Sequence, residues 1–222
     1  MILAIDTSTQ WIGLALFDGA QILYSKVWRT SRRHTVELVP AIKAALAESG
    51  VELAALKAIA VALGPGSFTS LRIGLAVAKG IALAQRVPLI GVPSLDITAN
   101  GIPLADHPLL AVLKAGRGRL SVQRYLPGDG HWEADGDIFM ASADELEEMI
   151  TSPTIIAGEI IQEDRRVLER RWRNALVASP SRNIRQPSAL AEIAWKRFEK
   201  GEVDDPVTLA PIYLHTINTP AD

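Results

Sequence analysis

The residues whose types and spacing are most specific lie in the first third of the chain. Asp6-Thr7-Ser8-Thr9 follows an apolar run, Ile2-Leu3-Ala4-Ile5. A carboxylate with hydroxyls at a strand end can hold magnesium through water and touch a phosphate. The same side chains can instead satisfy the amides of a turn. Gly64-Pro65-Gly66-Ser67-Phe68-Thr69 leads out of a second apolar run. There, backbone amides and a helix N-terminus can hold an anion, or the glycines can simply turn the chain tightly into a buried helix. The segment is no Walker loop, since no lysine follows until Lys79. It is no dinucleotide fingerprint either: Thr69 stands where Gly or Ala is needed, and no acid occurs between Glu52 and Asp96. Pro65 also removes the serine-elbow pattern at Ser67.

Metal and thiol chemistry find little support. His34, His107, His131 and His215 form no pair at helical ligand spacing, so a helical zinc site is not expected. The absence of cysteine excludes disulfides, thiolate sites and catalytic thiols, and fits a reducing cytoplasm. With 23 Lys and Arg against 25 Asp and Glu the net charge is −2, which gives no global pull on phosphate backbones. Charge is uneven, however. Residues 131–150 hold seven acids and no Lys or Arg, while residues 151–200 hold ten basic residues and six acids. Solvated faces explain this best; the alternative is an RNA-facing or partner-facing patch around Arg165, Arg166, Arg170, Arg171 and Arg173.

The elements that must position these residues follow from periodicity. Residues 2–5, 12–17 and 21–28 read as strands, the last two joined at Asp18-Gly19-Ala20, a hairpin signal. Residues 35–48 read as a helix that Pro40 should kink or delay. Strand 57–63, helix 70–85 and strand 89–92 then imply a parallel crossover. The helix at 70–85 is apolar almost all round, which implies burial on more than one side, against its own sheet and helices or against another subunit. Gly101, Pro103 and Pro108 mark a boundary between lobes at 1–103 and 104–222. Beyond it strands are expected at 109–113, 120–125, 132–140 and 154–157, with helices at 142–150, 162–173 and 187–200. The second lobe so read echoes the first, and its final segment can pack back on the first lobe. The opening residues reach Asp6 with no basic stretch, so a buried strand is expected there and not a signal peptide or membrane span.

Three segments carry a family resemblance: Ile2-Leu3-Ala4-Ile5-Asp6-Thr7-Ser8-Thr9, His34 with Leu38-Val39-Pro40-Ala41-Ile42, and Gly64-Pro65-Gly66-Ser67-Phe68-Thr69-Ser70-Leu71-Arg72-Ile73-Gly74. Together they resemble the bacterial TsaB (YeaZ) family, with Pro211-Ile212-Tyr213-Leu214 compatible with its C-terminal end. The resemblance covers about residues 1–100 and implies an α/β, actin-like and ribonuclease-H-like fold of two lobes. It implies a non-catalytic, cytoplasmic subunit that binds a TsaD-like catalytic subunit. With a TsaE-like ATPase, the pair supports threonylcarbamoyl transfer to the adenosine beside the anticodon of tRNAs reading ANN codons. TsaD-type proteins carry a His-x-x-x-His metal site at the stretch that here holds Ser94 and Thr98, and hydroxyls are poor ligands for a transition metal.

No catalytic or metal-binding residue is therefore expected. Asp6, Thr7 and Ser8 would be a vestigial nucleotide loop, with no cofactor beyond weak adenine nucleotide and magnesium. Ala157-Gly158-Glu159 is the nearest match to a second phosphate segment, and its acid would repel phosphate. Val39, Ile42, Leu71 and Leu75 are the candidate partner surface, which in isolation would form a homodimer; contact with tRNA would be indirect, and no membrane is involved. Ser70, Lys114-Ala115-Gly116-Arg117 and His215 depart from the family pattern. The rival reading is an ATP- and magnesium-dependent transferase or kinase of the same fold, using Asp6.

Overall fold

A computed structural model describes residues 1–31, 33–116 and 118–214. β1 (Ile2–Asp6), β2 (Trp11–Phe17) and β3 (Ile22–Arg29) form an antiparallel meander. Asp18 closes the hairpin, its carboxylate accepting from the amides of Ala20 and Gln21 at 2.8 and 2.7 Å. α1 (His34–Glu48), β4 (Ala58–Ala62), α2 (Phe68–Gln85) and β5 (Leu89–Val92) complete the lobe, with β1, β4 and β5 parallel in the order β3-β2-β1-β4-β5. Of the two outcomes expected from Pro40, a kink or a delayed start, the delayed start is corrected: α1 begins at His34 and carries Pro40 inside. Pro40 lies on the exposed side, while His34, Leu38, Ile42 and Ala45 bury the opposite face and hold the helix in place.

The second sheet repeats that plan. α3 (Ser94–Asn100) precedes the meander β6 (Leu109–Gly116), β7 (Arg119–Pro127) and β8 (Trp132–Ala141). α4 (Ala143–Met149), β9 (Thr154–Gly158), α5 (Gln162–Leu168) and β10 (Ala175–Val177) follow, giving the order β10-β9-β6-β7-β8 with β6, β9 and β10 parallel. α6 (Pro187–Glu199) then leaves this sheet and packs on the first one. α3 and β10 have no counterpart in the sequence reading. α5 ends at Leu168, short of residue 173, and gives way to a single 3-10 turn at Glu169–Arg171.

Both faces of the first sheet are covered, which is why its central strands are apolar throughout. Leu3, Ile5, Ile59 and Val61 face α1 and α2, while Ile2, Ala4, Ala58 and Ala60 face the alanines of α6. α2 lies between the sheet, α1 and solvent. Leu75, Ala78 and Ala82 meet the sheet, Leu71 is buried against Gly64, Ile73, Val77 and Ile81 flank them half-buried, and Ala76, Gly80 and Leu83 are bare. α2 thus packs on the sheet and beside α1, as expected of a helix buried on more than one side, and it keeps an outer surface that this chain does not cover. In the second lobe the charge asymmetry resolves locally: Arg170 pairs with Asp144, Arg171 with Glu147 and Arg119 with Glu145. Such exposed pairs contribute little stability, about 0–1 kcal/mol each, but they occupy three of the acids read as a separate face. No helix among the described residues is long and apolar enough to cross a membrane.

Candidate functional site between the lobes

Asp6 ends β1, the strand whose neighbours are antiparallel on one side and parallel on the other. Ligands of open α/β sheets gather at such a point. The side chain is already engaged. Asp6 Oδ1 accepts from the Ser8 amide at 2.8 Å, and Oδ2 accepts from Arg185 Nε at 2.7 Å. Arg185 also donates from Nη1 to Glu159 Oε1 at 2.9 Å and from Nη2 to Thr9 Oγ1 at 3.3 Å, while Thr9 Oγ1 donates to Glu159 Oε1 at 2.5 Å. The Arg185 side chain is 1% exposed. Burial opposes its charge, and the Asp6 and Glu159 carboxylates outweigh burial and hold the guanidinium above its ordinary value.

The remaining hydroxyls are equally occupied. Thr7 Oγ1 donates to the Ser70 carbonyl at 2.8 Å, and Ser8 Oγ shares a 2.5 Å hydrogen bond with Ser94 Oγ. Ser94 Oγ accepts from the Gly64 amide at 3.1 Å, and Thr98 Oγ1 donates back to the Ser94 carbonyl at 3.1 Å. His34 Nε2 donates to the Thr9 carbonyl at 2.9 Å and anchors the same loop on α1. The glycines make the close approach possible. A Cβ on Gly66 would strike the Ser8 carbonyl, and one on Gly74 would strike the Thr7 hydroxyl, so α2 can dock on the β1 loop only with both positions bare.

Above this network a cleft of about 740 Å³ separates the lobes. Gln10, Trp11, Arg29 and Ser67 line one side, and Lys114 and Arg165 line the other. Arg29 is tied to Gln10 Oε1, and Arg165 to Glu169 and the Ala178 carbonyl. Asp6 as a magnesium ligand does not fit this arrangement, because Arg185 already neutralises the oxygen that a cation would need. Among the described residues no group of three or more metal-ligating side chains is gathered anywhere.

A family model described as TsaD, tRNA N6-adenosine threonylcarbamoyltransferase, matches residues 28–167. The tRNA threonylcarbamoyladenosine biosynthesis protein TsaB of Bacillus subtilis is 28% identical over 96% of this chain and 93% of its own. TsaB of Escherichia coli is 41% identical over 45% of this chain. YeaZ from Pseudomonas aeruginosa superposes with a TM-score of 0.79 at 25% identity, covering 96% of this chain and 99% of that one. The chain belongs to the TsaB (YeaZ) family. The match spans only 43% of the E. coli TsaB. The two mixed sheets with their helices are the actin-like, two-lobed α/β fold of this family.

Against the TsaB motifs the structure sorts the site residues clearly. Asp6, Thr7, Ser8 and Thr9 come together with the Gly64–Gly74 segment, with His34, and with Ser94. Ser70, where the family pattern has glycine, gives its carbonyl to Thr7 and donates its hydroxyl to Ser67 Oγ at 2.9 Å. Lys114, Ala115 and Gly116 line the cleft, whereas Arg117 and His215 lie outside the described residues. Of the four partner-surface candidates, Ile42, Leu71 and Leu75 are core residues with no surface to offer, and that assignment is corrected. Only Val39, 55% exposed, stands free on α1. Arg185 is the residue that sequence reasoning missed; nothing distinguishes it from the other nine basic residues of its stretch. Glu159, the acid of the Ala157-Gly158-Glu159 segment, lines the cleft with its carboxylate engaged by Arg185 and Thr9.

Proposed function

We propose that this chain is a non-catalytic scaffold subunit of a tRNA threonylcarbamoyl-transfer complex in the cytoplasm. It would pair with a TsaD-like catalytic subunit and act, through that complex, with a TsaE-like ATPase. The single observation that carries the reading is Arg185 filling the Asp6 loop, on a chain of the TsaB family. A transferase of this fold would need that carboxylate for magnesium and phosphate, and here it is spent on an internal ion pair.

The pairing surface we assign is the outer face of α1 and α2, which pack side by side. Val36, Val39, Phe68 and Leu83 are exposed there, Leu83 at 81%. Beside them Arg72 stacks on the Phe68 ring, 3.7 Å from its centroid, and donates to the Tyr213 hydroxyl at 3.0 Å. Exposed apolar side chains along two adjacent helices suit a partner surface, and in isolation they would favour a homodimer. Three arginines of the second lobe are taken up by Asp144, Glu147 and Glu169, which supports indirect rather than direct contact with tRNA. The test is co-purification with a TsaD-like subunit. The pair should elute together, and separate elution at micromolar concentration would refute the pairing.

A further inference from the structure

We infer that Arg185 is an internal clasp that holds the two lobes together across the cleft without any ligand. The residue lies where the chain passes from the turn at Pro180–Arg182, beside the second sheet, into α6 on the first. Its guanidinium reaches both lobes at once: Asp6 and Thr9 from the β1 loop, and Glu159 immediately after β9. Asn183, two residues earlier, fixes the approach by accepting from the Gly158 amide at 3.3 Å and donating to the Ala178 carbonyl at 3.3 Å.

Two physical arguments make this a clasp and not merely a contact. A guanidinium presents several donors in a rigid fork, so one side chain donates to two carboxylates and a hydroxyl at once in a fixed geometry. A buried charge is also tolerated only while its partners are complete. Moving the lobes apart by the width of one water would strip Glu159 from Arg185 and Thr9 together, losing both hydrogen bonds to its carboxylate and the ion pair across the cleft, while Arg185 keeps Asp6. The lobes are also joined by apolar packing of Leu95 and Ala99 of α3 against Leu109, Ala111 and Tyr125, so the clasp adds a polar tie to an apolar one. In a cleft closed by ligand, metal and phosphate draw the lobes together; here a side chain of the protein performs that task permanently. The clasp rests on the geometry of this chain alone and stands or falls independently of the partner proposed above.

The chain has no cysteine, so Ser31→Cys in the first lobe and Glu163→Cys in the second can carry a spin-label pair for an interlobe distance measurement. A single narrow distribution is expected, unchanged when magnesium and ATP are added. Glu159→Ala removes the second-lobe anchor while leaving Asp6 and Arg185 as a neutral buried pair, and it should shift the distribution outward and broaden it. Arg185→Lys, which keeps the charge but not the fork, should do the same. Circular dichroism verifies that each variant is folded. Contraction of the wild-type distance on adding magnesium and ATP would overturn the clasp, as would an unchanged narrow distribution in both folded variants.

Discussion

Arg185 Nε lies 2.7 Å from Asp6 Oδ2, with the two side chains 1% and 4% exposed. Removing the cation alone leaves Asp6 and Glu159 as buried like charges. Arg185→Met is therefore expected to destabilise the fold by about 3–5 kcal/mol. The triple change Asp6→Asn, Glu159→Gln, Arg185→Met should recover much of that loss, because neutral groups carry a smaller desolvation cost. Denaturant unfolding of the two variants checks the order; equal losses in both would show that charge is not the issue.

Exposed and buried positions on α1 and α2 should behave in opposite ways. Val39→Glu and Leu83→Glu leave the core untouched, so each should abolish co-purification with a TsaD-like subunit at an unchanged unfolding midpoint. Leu71→Ala, at a site with no exposure, should instead cost about 2–5 kcal/mol through the cavity it leaves. Retained pairing by both glutamate variants would place the partner elsewhere.

The Tyr125 hydroxyl donates to Asp96 Oδ1 at 2.6 Å across the lobe junction. Burial pushes the Asp96 carboxyl up, and the tyrosine hydrogen bond offsets this only in part. A folded value above the unfolded one means that the native state holds the proton more tightly. The associated stability is present below the ordinary carboxylate value of about 4 and is lost as pH rises through the folded value. Asp96→Asn keeps an acceptor for Tyr125 and has nothing to titrate. Its stability relative to the parent should therefore rise as pH increases from about 3 to neutrality, read from urea unfolding at several pH values. A difference independent of pH would contradict this.

Gly74 tests the seating of α2 on the β1 loop. Gly74→Ala forces the Thr7 hydroxyl aside and breaks its bond to the Ser70 carbonyl. A loss of about 1–3 kcal/mol is expected from overpacking, despite the better helix propensity of alanine, whereas a gain in thermal midpoint would show that the loop has room.

Much of the first lobe is legible in the chain because its central strands are buried on both faces and so read as continuous apolar runs. The meander and crossover follow from them. α3 is not legible: its seven residues are too few to show a 3.6-residue period, and β10 has only three. The hydroxyls and carboxylate of Asp6-Thr7-Ser8-Thr9 announce a site by type, but the partner that decides its chemistry lies 179 residues away. No local pattern encodes such a contact. Ile42, Leu71 and Leu75 show the complementary failure. Helical spacing reveals which residues share a face, but it does not say whether that face meets the chain's own sheet or another protein.

The most direct measurement is reconstitution of tRNA modification with TsaD, TsaE, threonylcarbamoyl-adenylate and an unmodified tRNA that reads an ANN codon, with this chain added or left out. Threonylcarbamoyladenosine is expected only when the chain is present, and the chain without TsaD should form none. Equal product with and without the chain would contradict an accessory role, and product formed by the chain alone would make it the enzyme.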